Sequence, residues 1–204
     1  FFPPEDPSGR GVSLSTVRAG NVIGGGDWGR DRLIPDCIRA LSQRKPVYLR
    51  NPQAVRPWQF VLDALSGYLC LAEEQASGSP AYAEAWNFGP EPGADWTVAK
   101  LADRLIALWG EGRWLPAEEF SSKSLLYRES RFLTLDCSKA NRLLDWRSVY
   151  NTDESVQETV RWYRETRNLP PDRVYDYSVR QLGDYLRAAQ KKRCSWTLQE
   201  KALR

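Results

Sequence analysis

Apolar positions along this chain follow two rhythms. In several stretches they recur every three or four residues, the signature of a helix with one buried face. Leu33, Ile34, Cys37, Ile38 and Leu41 predict a helix over Asp31 to Gln43, with Asp31 as N-cap and Pro35 tolerated in the first turn. A second helix, Val61 to Gln75, carries Leu62, Leu65, Tyr68, Leu69 and Ala72 as its stripe, and Gly67 within it points to a close helix contact. A third runs from Val98 to Trp109 and is closed by Gly110. Ser138 opens a short helix to Leu144, and Thr152 with Ser155 starts one that runs through Arg167 and halts before Pro170-Pro171. The last, Tyr177 to Lys192, is marked by Val179, Leu182, Tyr185, Leu186 and Ala189. Between these lie short apolar runs bounded by turn residues, which predict strands. They are Val12 to Val17, a buried strand; Pro46 to Arg50, ended by the Asn51-Pro52 turn; Ala83 to Phe88, stopped by Gly89-Pro90; and Phe132 to Leu135. Strands interleaved with helices predict an α/β fold with parallel pairing.

Composition narrows the picture. A chain of 204 residues, 42% hydrophobic and 27% charged, suits one or two domains with a sizeable core. It contains no histidine, which removes the commonest general acid/base and metal ligand. The net charge of +3 is slight and not concentrated on one segment, so a nucleic-acid partner is not expected. No apolar run approaches the roughly 20 residues of a membrane span. The cysteines, Cys37, Cys70, Cys137 and Cys194, stand far apart with no CxxC pair, and read as reduced thiols. A cytoplasmic location is the expectation.

The stretch Arg18 to Trp28 asks for the most explanation. An apolar strand runs into Gly24-Gly25-Gly26, where the missing Cβ atoms leave room for a ligand against the backbone, or simply for a tight loop. Asn21, Asp27, Trp28, Arg30 and Arg32 surround the glycines and lead into a helix start, where open α/β sheets bind ligands. Arg56 lies in Val55-Arg56-Pro57-Trp58, an apolar setting in which a merely solvated arginine is unexpected.

The strings RAGNVIGGGDW (18–28), DRLIPDCIRAL (31–41) and RNPQAVRPWQFVLDALSGYL (50–69) resemble the CDP-glucose 4,6-dehydratases, members of the extended short-chain dehydrogenase/reductase superfamily. The resemblance runs from Phe1 to about Tyr163. The superfamily's GxxGxxG loop and YxxxK pair do not occur here, so the resemblance implies the C-terminal portion of such an enzyme, with no catalytic residue of its own and no turnover by itself. It implies an interleaved architecture: 1–19 and 57–90 in the Rossmann layer, 20–56 and 91–169 in a nucleotide-sugar-binding domain, and 170–204 as a helical extension. It implies NAD as cofactor, CDP-glucose as substrate and a homo-oligomer of the complete enzyme.

Site residues follow from the same resemblance. Asn21 is expected at the diphosphate or the sugar hydroxyls, Arg32 and Leu33 at the diphosphate and base, and Arg56 on the diphosphate. Asn87 is expected near phosphate or ribose, and Glu129 at the ribose hydroxyls, although Tyr127-Arg128 departs from the usual pattern. Ala19 and Gly20 are expected beside the cofactor. Bland readings stand next to these: Asn21 and Asn87 as turn or strand-end residues, Arg32 as a solvated arginine at a helix start. Among nine tryptophans, Trp28 is the candidate to stack on cytosine. Phe60 replaces the histidine common in the subfamily. Arg50, in the Asn51-Pro52 turn, is expected to be silent. A related epimerase, or a non-catalytic binding module, remains compatible with these residues.

Overall fold

The computed structural model describes residues 12–91, 93, 95–117 and 130–198. Its strands are β1 (Thr16–Ala19), β2 (Asn21–Ile23), β3 (Val47–Leu49), β4 (Val55–Arg56), β5 (Trp58–Phe60), β6 (Ala85–Phe88), β7 (Trp96–Thr97) and β8 (Trp114–Pro116). The helices are α1 (Leu33–Ser42), α2 (Val61–Ala76), α3 (Val98–Trp109), α4 (Ser138–Leu143), α5 (Thr152–Thr166), α6 (Pro171–Lys191) and α7 (Ser195–Leu198), with a 3₁₀ turn at Pro80–Tyr82.

The strands associate in pairs. β1 runs parallel to β6 with Val17 opposite Trp86, β2 parallel to β5 with Asn21 opposite Trp58, and β3 parallel to β8 with Tyr48 opposite Leu115. β4 and β7 are antiparallel. One residue switches the chain between partners: Gly20 donates its N–H to the Phe88 carbonyl, and Asn21 donates to the Pro57 carbonyl. A Cβ on Gly20 would lie 2.2 Å from the Pro57 oxygen, so only glycine lets β1 pass into β2 there.

Helices α1, α3 and α5 close over β2, β3 and β5 in the main core, which includes Ile38, Leu41, Leu49, Leu105 and Tyr163. A second cluster joins Phe60 to Tyr150, Tyr185 and Ala189, and a third sets Trp86, Phe88 and Trp146 under α2. Phe60, standing where histidine is common, is thus an apolar core residue between the rings of Tyr150 and Tyr185. Two polar joints hold α5 in place. Asn151 and Glu154 form a reciprocal capping box, and Arg104 grips Asp153 through Nε at 2.6 Å and Nη2 at 3.0 Å.

Several expectations need correction. The strand expected at 12–17 begins only at Thr16, and Val12, Leu14 and Val17 are exposed, because among the described residues β1 pairs on one side alone. Phe132 to Leu135 is not a strand; Phe132 makes one bridge to Val55 and is otherwise exposed. Asp31 adopts φ 59° and Arg32 takes the N-cap position of α1. Cys137, not Ser138, takes the N-cap position of α4, and the Asp136 carboxylate just before it accepts from the Ser138 N–H.

In α2 the buried residues are Asp63, Ala64, Ser66, Gly67 and Leu71, while Leu65 and Leu69 face outward. Small residues won that face because the Phe88 ring of β6 comes within 2.3 Å of where a Gly67 Cβ would be. The close contact expected at Gly67 is therefore with a strand's ring rather than a helix. α6 starts six residues early, at Pro171, a favoured first position. It buries Gln181, Tyr185 and Ala189, and leaves Val179, Leu182 and Leu186 exposed. All cysteines are free thiols, and burial pushes Cys37 up to about 12, far from any reactive range.

Candidate functional site

A cavity of about 410 Å³ opens where β2, β3, β4 and the start of α1 converge. Asn21, Arg32, Leu33 and Arg56, far apart in sequence, all line it. Each is placed by a local necessity. Asn21 follows the Gly20 switch, so it opens β2 at the strand edge. Arg32 and Leu33 begin α1, whose first N–H groups have no intrahelical acceptor. Arg56 lies in β4, half-buried, and its Nη1 donates to the carbonyls of Val55 and Ser130, each at 2.9 Å.

The loop between β2 and α1 is fastened before any ligand arrives. Asp27 accepts from the Gly29 N–H at 2.8 Å and pairs with Arg32 at 3.0 Å. Partial burial opposes ionisation, yet the Gly29 N–H and the Arg32 guanidinium together hold the Asp27 carboxyl below its ordinary value. Arg39 donates to the carbonyls of Trp28 and Gly29, and Tyr163 Oη donates to that of Asp27. The glycines serve this packing. A Cβ on Gly24 would meet Val61 at 2.6 Å, one on Gly25 would meet the Trp162 ring at 2.1 Å, and Gly26 has φ 84°. Of the two readings of this stretch, the tight loop explains the glycines; Gly24 alone of the three also lines the cavity.

Other expected residues lie elsewhere. Asn87 does not line the cavity; it donates to the Asp136 carbonyl at 3.1 Å and tethers the segment before α4. Ala19 and Gly20 also stay outside it, and Glu129 lies outside the described residues. Trp28 is exposed and set edge-on to Tyr163 at 5.1 Å, away from the cavity wall. Arg50, expected to be silent, lines the cavity together with Tyr48 and Asn51. The missed signal was alternation: Val47 and Leu49 are buried, so Tyr48 and Arg50 share the opposite, open face of β3.

The cavity's charges are guanidiniums and carboxylates, and the groups that burial perturbs most, Asp63, Tyr185 and Cys37, lie outside it. Among the described residues no cluster of metal-ligating side chains occurs, and no helix is long and apolar enough to cross a membrane.

The fold is similar to that of solved sugar-nucleotide dehydratases and epimerases. Superposition on dTDP-glucose 4,6-dehydratase from Bacillus anthracis in complex with NAD gives a TM-score of 0.61 at 21% identity, over 76% of this chain and 46% of that one. UDP-glucuronic acid 4-epimerase from Bacillus cereus, in complex with UDP-glucuronic acid and NAD, gives 0.63 at 14% identity, over 78% and 47%. The sequence is similar to CDP-glucose 4,6-dehydratase from Salmonella typhimurium, 39% identical over 189 residues, 92% of this chain, in line with its motifs. The chain spans about half, 51%, of that relative's length. No family model matches.

The expectation of NAD accords with the NAD complexes of these structural relatives. Gly20 is glycine for the sake of the Pro57 carbonyl, and neither it nor Ala19 borders the cavity.

Proposed function

We propose that the cavity binds the nucleoside diphosphate end of CDP-glucose, as the substrate-binding portion of an NAD-dependent CDP-glucose 4,6-dehydratase that yields CDP-4-dehydro-6-deoxyglucose. The observation that carries this reading is the meeting of Asn21, Arg32, Leu33 and Arg56 on one cavity. A diphosphate needs bidentate donors and a positive local field. Arg56 supplies the planar fork, and the open N–H groups at the start of α1 supply the rest, with Arg32 beside them. Asn21 offers an amide at the strand edge for a sugar hydroxyl or a phosphate oxygen. Asn87, whose amide donates to the Asp136 carbonyl, is assigned to the phosphate or ribose, and Glu129 to the ribose.

Residues 20–56 and 91–169 form the nucleotide-sugar domain in this reading, 1–19 and 57–90 belong with the dinucleotide layer, and 170–204 is an extension. Catalytic groups and the NAD site lie in the remainder of a homo-oligomeric, cytoplasmic enzyme, and the 204-residue chain alone produces no 4-keto sugar.

Arg56→Lys tests the site, because lysine keeps the charge and loses the two-bond grip. Calorimetric titration of CDP-glucose is expected to show binding weakened by roughly 1 to 3 kcal/mol with an unchanged Tm. A lowered Tm with intact affinity makes Arg56 scaffold and removes the centre of the proposed site.

A further inference from the structure

We infer that Arg50 is the residue that reads the base, donating two parallel N–H groups to N3 and O2 of cytosine and thereby excluding uracil and thymine. The inference rests on the site assignment above. The cavity's other guanidiniums are assigned to the diphosphate, Arg32 steadied by the Asp27 carboxylate and Arg56 by the carbonyls of Val55 and Ser130. Arg50 is exposed, lines the same cavity, and has no carboxylate within ion-pairing distance among the described residues.

Its root is nevertheless rigid. Leu49, just before it, accepts from the Ala117 N–H at 2.9 Å and is paired in register with Pro116 of β8. The turn after it is pinned by Ala54 N–H on Asn51, Val98 N–H on Ala54 and Ala99 N–H on Pro52. A fixed backbone carrying an uncommitted fork is what base reading requires, since little order remains to be created on binding. Tyr48, two residues earlier and 64% exposed, lines the same cavity and offers a flat ring to a base.

The chemistry then selects one pyrimidine. Cytosine presents N3 and O2 as adjacent acceptors, a match for two guanidinium N–H groups; uracil and thymine carry a hydrogen on N3, which faces the fork donor to donor. Lysine, a point charge, makes no such distinction. Arg50 thus serves specificity, and Arg56 the phosphate both kinds of nucleotide share.

Titrating CDP-glucose and UDP-glucose against the wild-type chain, Arg50→Ala, Arg50→Lys and Arg56→Lys separates these roles. The wild type is expected to prefer CDP-glucose on the order of ten- to a hundredfold. Both Arg50 variants are expected to lose that preference, mainly by weakening CDP-glucose, with Tm unchanged. Arg56→Lys should weaken both ligands alike and keep the ratio. Arg50 variants that retain the preference, or weaken both ligands equally, overturn base reading and leave the site standing. A wild type that binds neither ligand removes the site assignment and this inference with it.

Discussion

Arg50 and Asp63 are both ionisable side chains, and the structure treats them in opposite ways. Asp63 is 0% exposed, and its carboxylate accepts from the N–H of Val149 at 2.6 Å, the N–H of Tyr150 at 3.3 Å and the hydroxyl of Tyr185 at 2.9 Å. Ser66 and the Trp146 indole extend the network at its side. Val149 and Tyr150 precede α5 and Tyr185 lies in α6, so the carboxylate ties α2 to α6 and to the turn before α5. Arg50 holds a place on the cavity wall with no ion pair among the described residues. A buried charge whose bonds are all internal builds the fold; a charge on a fixed backbone, turned to a cavity and left uncommitted, is available to a ligand.

The largest effect expected from this contrast is at Asp63. Asp63→Ala strands three buried donors and should cost about 3 kcal/mol or more in urea unfolding, without changing the preference between nucleotides. Asp63 also sets a pH dependence. Burial pushes its carboxyl up to about 6, against the pull of the Val149 N–H and the Tyr185 hydroxyl. The folded chain therefore holds this proton more tightly than the unfolded one. The resulting stability is present below about pH 4 and is lost as pH rises through about 6, a change of about 3 kcal/mol. Asp27 and Asp153, whose carboxyls are held low, act with the opposite sign and only below about pH 4. Urea melts between pH 4 and 7 should show the decline in the wild type and a flat profile in Asp63→Asn; an equal slope in both assigns the effect elsewhere.

A smaller effect is expected in the glycine loop. Gly25→Ala drives a methyl into the Trp162 ring and should cost roughly 1 to 3 kcal/mol of stability. Loss of CDP-glucose binding at unchanged Tm would instead make Gly25 a ligand cradle and erase the distinction drawn here. The smallest effect is at Trp28. Trp28→Ala should forfeit only the edge contact with Tyr163, about 0.5 to 1.5 kcal/mol, and leave affinity intact. A tenfold loss of affinity would place the base on Trp28 rather than beside Arg50.

These residues also show where the sequence was readable. α3 ends at Gly110, with φ 102°, as its C-terminal glycine predicts, and α1 buries Ile34, Cys37, Ile38 and Leu41 as their spacing predicts. Such features depend on local geometry and a single apolar stripe. α2 and α6 misled because each carries large apolar residues on two faces, and only tertiary contacts decide which is covered: Phe88 selects Gly67 and Ala64, and Asp63 draws in Tyr185. Of the residues that line the cavity, Asn21, Arg32 and Arg56 were singled out by motifs. Arg50 was not, because a turn signal in Asn51-Pro52 masked the alternation of β3 that aims it into the cavity. The glycines stayed ambiguous because a sequence shows a missing Cβ but not whether a ligand or a neighbouring ring fills its place.

A crystal structure of the chain with CDP-glucose bound would decide whether this cavity is the substrate site. The diphosphate is expected between Arg56 and the start of α1, with the cytosine edge on Arg50. Density for the ligand in the separate cavity beside Arg142 and Arg147, with Arg56 still bonded only within the protein, would contradict the assignment.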